Sequence, residues 1–195
     1  MGKIFCLMGK SSSGKDTIFR DLLKEKDLKL KPIVSYTTRP MRANEVEGRE
    51  YYFINKAALD AYETENKIIE QRVYQTVYGP WHYATIDDGQ INLQMANYIM
   101  IVTLEAYKSL VKYFGQEYIV PIYIEVEDGI RLERAISRER EQAIPNYEEV
   151  CRRFLADSID FSKEALEEAN IQSFYQNIKL VDCMEAIKND IYKLM

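Results

Sequence analysis

Two glycines and a lysine near the start of the sequence have the spacing of a phosphate-binding loop. Gly9 and Gly14 bound a serine-rich turn, and Lys15 directly follows the second glycine. Glycines let successive backbone N–H groups point at an anion, and a helix beginning near Gly14 adds partial positive charge. The Lys15 ammonium would reach the β- and γ-phosphates of a nucleoside triphosphate. The residues expected to line this site are Gly9, Ser11, Ser12, Ser13, Gly14, Lys15, Asp16 and Thr17.

Asp16 stands where such a loop usually has Ser or Thr, whose hydroxyl helps to hold Mg²⁺. A carboxylate there could hold a metal-bound water, or it could simply favour the helix N-terminus. We take Asp16 as a candidate Mg²⁺ contact through water. The simpler alternative for the whole stretch is a Ser/Gly-rich turn before an ordinary helix. The apolar run at Ile4–Met8 and the helical spacing after the turn favour the phosphate site.

A second candidate anion site follows between residues 35 and 54. Arg39 and Arg42 are three residues apart in a polar stretch. Two guanidinium groups with hydroxyl donors beside them can clamp a phosphate through paired N–H···O contacts. An acidic residue further away can accept from a ring N–H or an exocyclic amine of a base. The neighbours that could assist are Thr37, Thr38, Glu45 and Tyr51.

A third set of cations lies between residues 131 and 153, where six arginines are interspersed with five glutamates. This balance is nearly neutral, so it does not indicate a nucleic-acid patch. Arg131, Arg134 and Arg138 share one face of a predicted helix, and Arg153 comes from the next helix. Such arginines would align a transferring phosphoryl group and neutralise its charge. For Arg131 and Arg140 we favour the alternative, a solvated helix face.

These groups need a scaffold, and the apolar runs predict an α/β fold. Strands near residues 4, 33, 99, 119 and 176, with helices between them, indicate a parallel sheet covered on both faces. Residues 37–86 differ, with short strands and many tyrosines, and are predicted to form an insertion at the carboxyl edge of the sheet, where ligands bind. We also predict a helix at residues 90–96 and one long helix at residues 147–168.

Composition bounds the class of protein. The chain has 195 residues and a net charge of −5, which suits one compact domain without overall attraction to nucleic acid or an anionic membrane. Three cysteines lack metal-ligand spacing, so reduced thiols in a cytoplasmic protein are expected. No apolar run reaches membrane-spanning length, and no signal peptide is apparent. The sequence leaves the oligomeric state open.

The second anion site resembles that of the guanylate kinase family. That family carries the pattern S-x-x-T-R-x-x-R-x-x-E-x-x-G-x-x-Y-x-F, and this chain matches each step. The matching residues are Ser35, Thr38, Arg39, Arg42, Glu45, Gly48, Tyr51 and Phe53. With the phosphate-binding loop and the arginines after residue 131, the resemblance covers nearly the whole chain. It implies a P-loop NTPase-type fold and Mg²⁺-dependent transfer of the γ-phosphoryl group of ATP to GMP, and also to dGMP.

The resemblance also implies roles for individual residues. Those expected to bind GMP are Ser35, Arg39, Arg42, Glu45, Tyr51, Glu70, Tyr78, Gly79 and Glu105, with Glu70 reading the guanine. Asn177 matches a position near the adenine of ATP. The residues expected to act in catalysis are Lys15, Arg39, Arg134, Arg138 and Arg153. The implied organisation is a single domain, 1–195, with a core (1–36, 87–136 and 154–195), a monophosphate-binding insertion (37–86) and a mobile lid (137–153).

Two departures from the family pattern bear on selectivity. Pro80 follows Tyr78-Gly79 where the family usually has Thr or Ser, and it offers no hydroxyl to the base. The usual D-x-D pair is replaced by Thr103 and Glu105. Glu105 could still accept from guanine N–H groups. Thr103 leaves a gap in the usual water-mediated Mg²⁺ shell, which Asp16 could fill.

Two other functions are alternatives. Ribose 1,5-bisphosphate phosphokinases also have a "GKD" loop, although they lack the full motif from Arg39 to Tyr51. Guanylate-kinase-like interaction modules bind partner peptides and have usually lost the loop lysine or the lid arginines, whereas Lys15 and Arg138 are present here. The sole histidine, His82, is expected to be structural.

Overall fold

The computed structural model describes residues 1–42, 45–76 and 78–195. Its main sheet has five parallel strands in the order β2-β7-β1-β8-β9. These strands are β1 (Ile4–Met8), β2 (Leu30–Pro32), β7 (Asn97–Ile101), β8 (Ile119–Glu125) and β9 (Phe174–Gln176). Because β1 is central, the loop that follows it opens at the middle of the carboxyl edge.

Helices cover both faces of this sheet, as predicted. The described residues form α1 (Lys15–Lys24), α2 (Lys56–Thr64), α3 (Leu104–Phe114), α4 (Asp128–Arg140), α5 (Tyr147–Asp160), α6 (Lys163–Glu168) and α7 (Leu180–Leu194). Side chains of β1 alternate between two apolar cores, because successive strand residues point to opposite faces. Phe5 packs with residues of α1 and α7, whereas Cys6 packs with residues of α3 and α6. None of the described helices is long and apolar enough to cross a bilayer.

A smaller sheet has the order β4-β3-β6-β5. Its strands are β3 (Tyr36–Thr37), β4 (Tyr52–Phe53), β5 (Ile68–Thr76) and β6 (Gly79–Ile86). The hairpin β5–β6 is antiparallel and is the longest pairing in this sheet. The side chain of Asn55 caps α2 by accepting a hydrogen bond from the amide of Ala58. A separate small core of Tyr36, Leu59, Ala84 and Ile86 holds this unit together.

The smaller sheet joins the main one at the carboxyl edge. The amide of Ile33 donates to the carbonyl of Ile99, which continues the β2–β7 pairing just before β3 begins. On the other side, Ile69 of β5 belongs to the same apolar core as Leu104 of α3. The hairpin is therefore anchored beside the end of β7, next to the edge where the other loops converge.

Two predicted helices are wrong. Residues 90–96 contain a single turn at 93–95, in which the amides of Met95 and Ala96 both donate to the carbonyl of Asn92. The helix goes no further because β7 begins at Asn97. The predicted helix at 147–168 is two helices. The helix is interrupted at Ser162, whose side chain caps the start of α6 by accepting a hydrogen bond from the amide of Ala165.

Candidate functional site

The turn between β1 and α1 has the tight geometry expected of a phosphate-binding loop. Gly9 has φ +148°, and a Cβ on it would lie 2.5 Å from the carbonyl oxygen of Ile124. Gly14 has φ +91°, and its Cβ would lie 2.4 Å from Nδ2 of Asn177. Both positions therefore require glycine, because a side chain would meet other parts of the fold.

The residues between these glycines carry strain and an unsatisfied polar group. Ser12 has φ +63°, an uncommon backbone conformation for a residue with a side chain. The Ser13 hydroxyl is fully buried and has no hydrogen-bond partner among the described residues. Such features cluster at ligand sites, where the ligand supplies the missing partner. Lys15 donates to the carbonyl of Lys10 (3.3 Å), and burial lowers the pKa of its ammonium while Asp16 opposes this shift.

Three of the sequence-predicted residues converge on this loop. Asn177 follows β9 and donates from Nδ2 to the carbonyl of Ser13 (2.8 Å). Arg134 on α4 donates to the backbone carbonyl of Asn177 (3.2 Å). Arg138, one turn further along α4, donates to the hydroxyl of Ser12 (3.4 Å). Two of the arginines expected to act in catalysis thus approach the phosphate-binding loop.

Arg153 is placed differently. It lies on α5, is 51% exposed, and donates to Glu149 at 2.6 Å. Arg152 also donates to Glu149, and this pairing holds the pKa of that carboxyl at about 2. The structure therefore does not bring Arg153 to the loop.

Arg131 corrects a prediction, because it does not lie on a solvated face. It is 1% exposed, and its guanidinium donates to Asp128 (2.7 Å) and packs over the ring of Phe154. It also donates to the carbonyl of Ser11 (3.1 Å), while the carboxylate of Asp157 accepts the amide of Ser11 (2.7 Å). Arg131 and Asp157 are 3.4 Å apart.

Arg131 and Asp157 therefore hydrogen-bond to the backbone carbonyl and the backbone amide of Ser11. Sequence reasoning missed Asp157, since a single aspartate on a charged helix gives no signal. Arg140, assigned the same solvated face as Arg131, is exposed.

The second anion site centres on a buried arginine. Arg39 is 4% exposed and donates from both Nη atoms to Glu45, at 2.6 and 2.8 Å. Its Nε donates to the hydroxyl of Tyr83 (3.2 Å), and its guanidinium lies over the rings of Tyr51 and Phe53. The hydrogen bonds from Arg39 lower the pKa of Glu45 to about 2. Glu45 thus occupies the fork that could otherwise clamp a phosphate.

The other motif residues surround this pair. Ser35 lies just before β3, and its carbonyl accepts the amide of Tyr52. The side chain of Arg42 is exposed, and its amide donates to Glu45 (2.8 Å). Tyr51 meets Tyr83 edge-on at 5.5 Å, and burial raises its pKa. Glu105 is exposed in the first turn of α3.

Tyr78 and Gly79 do not lie in this cluster, contrary to the expectation from the resemblance. They are at the tip of the β5–β6 hairpin, where Tyr78 is 83% exposed and stacks on Trp81. In the β5–β6 pairing, Thr76 lies opposite Gly79 at the tip and Glu70 lies opposite Thr85 at the base. At about 3.3 Å per residue, the tip and the base are about 20 Å apart. The family has Thr or Ser after its Tyr-Gly pair, and Tyr83-Ala84-Thr85 keeps that hydroxyl where Tyr78-Gly79-Pro80 does not. This pattern could have identified Tyr83 as the alternative to Tyr78.

At the base of the hairpin, Glu70 is held by side chains that sequence reasoning missed. Its carboxylate, 2% exposed, accepts from Thr85 (2.8 Å) and from Nε and Nη2 of Arg72 (3.0 and 3.3 Å). Arg72 also donates from Nη1 to the hydroxyl of Thr103 (3.2 Å). Thr103 caps α3 at the end of β7, so this network joins the hairpin to the main sheet.

The remaining candidates are a metal contact and a histidine. Asp16 is exposed in the first turn of α1, and the described residues contain no group of three or more His, Cys, Asp or Glu side chains able to hold a metal. Nδ1 of His82 lies 2.9 Å from the side-chain Nε2 of Gln71, and the backbone amide of His82 donates to the hydroxyl of Thr38. Both contacts therefore lie in or directly beside the smaller sheet.

Comparisons with known proteins agree with this architecture. The family model described as "Guanylate kinase" matches residues 1–184. A guanylate kinase from Porphyromonas gingivalis is 26% identical over 194 residues, covering 98% of this chain and 97% of the relative. One from Mycoplasma mobile is 28% identical over 198 residues, with 96% and 91% coverage.

The fold has a solved counterpart. The crystal structure of guanylate kinase from Anaplasma phagocytophilum superimposes with a TM-score of 0.68 at 18% identity, covering 98% of this chain and 85% of that one. Because the family model spans nearly the whole sequence, this chain belongs to the guanylate kinase family.

Proposed function

We propose that two anion sites at the carboxyl edge of the sheet form the active site with which this chain transfers the γ-phosphoryl group of ATP to GMP. The observation that carries this proposal is that the chain contains both kinds of anion site. The Ser13 hydroxyl of the phosphate-binding loop is buried and has no partner among the described residues, and the fork of the buried Arg39 is filled by a carboxylate. Each site has the donors that an anionic substrate requires.

ATP is the phosphoryl donor in this family, and we assign it to the loop. The amide of Ser11 donates to Asp157 and that of Ser13 to the carbonyl of Lys10. The Lys15 ammonium and the other amides of the loop face the β- and γ-phosphates, while the Ser13 hydroxyl gains a partner. Asn177 lies against Gly14, and Arg134 donates to the carbonyl of Asn177. We assign these two residues to the adenine of ATP. Arg138 reaches Ser12 and is placed to contact the transferring group.

GMP is assigned to the smaller sheet. Its phosphate displaces Glu45 from Arg39 and is held with Arg42, Ser35 and Tyr51. Tyr83, which already contacts Arg39, replaces Tyr78 in this role. The guanine faces Glu70, with the Thr85 hydroxyl beside it in place of the hydroxyl that Pro80 lacks. Glu105, at the start of α3, supplies a further acceptor. We expect dGMP to be used as well.

The chemistry needs alignment and charge rather than covalent help from the protein. Lys15, Arg39, Arg134, Arg138 and Arg153 neutralise charge on the phosphoryl oxygens once water is excluded. For Arg153 this requires that the lid, residues 137–153, closes and releases it from Glu149. An open lid without both substrates limits hydrolysis of ATP.

Mg²⁺ fits this site. Asp16 offers one exposed carboxylate beside the loop, and one carboxylate with substrate phosphates is a donor set that Mg²⁺ commonly takes. Bound there, Mg²⁺ would supply charge neutralisation at the phosphate oxygens. Asp16→Asn tests the assignment: it should raise the Mg²⁺ concentration needed for half-maximal turnover, and an unchanged requirement would overturn the role of Asp16.

A coupled assay tests the function. The purified protein is supplied with ATP and Mg²⁺ and, in turn, with GMP, dGMP, AMP, UMP or ribose 1,5-bisphosphate. Turnover with GMP and dGMP, and little with the others, is expected. Turnover only with the sugar phosphate, or none with any acceptor, would overturn the proposal.

The compartment we propose is the cytoplasm. Cys6, Cys151 and Cys183 are all free thiols, as a reducing compartment maintains them.

A further inference from the structure

Arg72 adds a third guanidinium to the acceptor site, after Arg39 and Arg42, and lies beside the carboxylate assigned to guanine. Its side chain is 15% exposed, and Glu70 beneath it is 2% exposed. In the β5–β6 pairing Arg72 lies opposite Tyr83, and Glu70 lies opposite Thr85. Since Tyr83 accepts from Arg39, Arg72 stands between the base-reading carboxylate and the phosphate clamp.

The guanidinium of Arg72 retains unused donors. An arginine has five N–H donors. Nε and one Nη2 hydrogen bond go to Glu70, and one Nη1 hydrogen bond goes to Thr103. The described residues supply no further acceptor, so two N–H groups stay available. Because three hydrogen bonds fix the plane of the group, those two donors are held in place before a ligand arrives.

The carboxylate beside it has room for donors as well. Oε1 of Glu70 accepts from Thr85 and Arg72, whereas Oε2 accepts only from Arg72 among the described residues. An ionised carboxylate has about four acceptor positions. Glu70 and Arg72 together therefore present an acceptor next to donors on one side of the proposed guanine site.

Guanine has the complementary pattern. N1–H and the 2-amino group are donors, O6 beside them is an acceptor, and N7 follows as a second acceptor. A guanidinium fork on O6 and N7 is the commonest specific contact between proteins and guanine in DNA. We propose that Arg72 is a specificity-determining residue that donates to the O6–N7 edge of the guanine while Glu70 accepts from its N1–H and 2-amino group; this rests on the proposed function.

Substrate analogues separate this contact from a purely structural ion pair. 7-Deaza-GMP lacks the N7 acceptor, and 6-thio-GMP has a weak acceptor in place of O6. We expect the wild-type protein to use at least one of them about tenfold less efficiently than GMP, as kcat/KM, because a guanidinium contact to this edge carries discrimination of that order. In Arg72→Met, kcat/KM for GMP should fall about tenfold to a hundredfold, and the preference for GMP over that analogue should disappear.

Controls keep the test decisive. Arg140→Met, an exposed arginine on α4, should keep both the activity and the preference. Arg72→Lys keeps the charge without the fork and should lose the preference; it serves as the test variant if Arg72→Met does not fold, as judged by thermal unfolding. A wild-type protein that accepts GMP and both analogues equally well, or an Arg72 variant that keeps the preference, would overturn the inference. A wild-type protein inactive on every guanine nucleotide would instead overturn the proposed function and this inference with it.

Discussion

At the scale of single residues, the phosphate-binding loop is organised around contacts that a ligand would complete. Lys15 donates only a long hydrogen bond to the carbonyl of Lys10, and the Ser13 hydroxyl lacks a partner among the described residues. Burial lowers the pKa of the Lys15 ammonium, so its charge is costly there without an anion. Substrate phosphate supplies that anion.

Replacing Lys15 with methionine should therefore abolish most of the activity while keeping the fold. We expect kcat/KM for ATP to fall by about 10²–10³-fold, the usual loss when a preorganised donor facing developing charge is removed. The measurement is the coupled assay at saturating GMP, with circular dichroism to follow folding. Lys24→Met removes an exposed lysine of the same helix and should have little effect. Equal activity in the two variants would contradict the role of Lys15.

Glu45 offers a test that depends on pH. Its pKa falls from an ordinary 4.5 to about 2 because Arg39 donates to it. A lowered pKa in the folded protein means that the unfolded chain takes up the proton first. The pair therefore stabilises the fold above pH 4.5, and this contribution is lost as the pH falls toward 2.

Glu45→Gln removes that titration. Between pH 6 and pH 3, the drop in unfolding free energy should be smaller than in the wild type by about 1–2 kcal/mol. Urea unfolding at several pH values measures this. Glu133→Gln, an exposed carboxylate on α4, should retain the wild-type drop. If Glu45→Gln showed the same pH dependence as that control, the Arg39–Glu45 pair would not be the source.

At the scale of helices and strands, the phosphate-binding loop is braced by two helices near the lid. Arg131 of α4 and Asp157 of α5 hold the carbonyl and amide of Ser11, and both side chains are largely buried. Removing one partner of a buried ion pair leaves the other charge uncompensated, which costs about 3–5 kcal/mol. This brace lies outside the motif residues that the sequence identifies.

A double-mutant cycle measures the brace. Arg131→Met should lower the free energy of unfolding by about 3 kcal/mol, with Asp128 and Lys10 still paired at the surface. Asp157→Asn combined with Arg131→Met should reveal a coupling energy of about 1 kcal/mol or more. Both single variants should raise KM for ATP, because Ser11 is released. Arg140→Met should cost under about 0.5 kcal/mol. Additive effects of the two changes would show that the brace does not act as a pair.

The sequence predicted the scaffold well, because buried parallel strands are continuous apolar runs that need no tertiary information. It could not predict which arginines of α4 face inward. Arg131, Arg134 and Arg138 share a helical face, but only packing against Phe154 and Asp157 decides that Arg131 is buried. The prediction that Tyr78 and Gly79 lie in the second anion site failed for a similar reason. Tyr78 and Tyr83 both suit a tyrosine position, and the choice depends on a strand register set by pairing.

At the scale of the whole molecule, the two anion sites lie on different sheets, which meet where Ile69 of β5 packs in the core of the main sheet. The Arg39 site is on the smaller sheet with its own apolar cluster around Tyr36, whereas the loop belongs to the main sheet. Arg153 is still paired with Glu149 away from the loop. In-line transfer requires both phosphates and the arginines to share one dry cleft, so we expect the two units to close toward each other when both substrates bind.

Small-angle scattering tests this closure. A compact chain of this length has a radius of gyration of about 16 Å. A bisubstrate mimic, adenosine and guanosine joined by five phosphates, can contact both sites at once. It should reduce the radius, whereas GMP or a non-hydrolysable ATP analogue alone should reduce it less, because neither bridges the units. Arg39→Met should weaken the change by removing the acceptor-side clamp, although the loop still binds the adenosine end. An unchanged radius in the wild type at saturating mimic would mean that the cleft is already closed, and the separate position of Arg153 would then need another explanation.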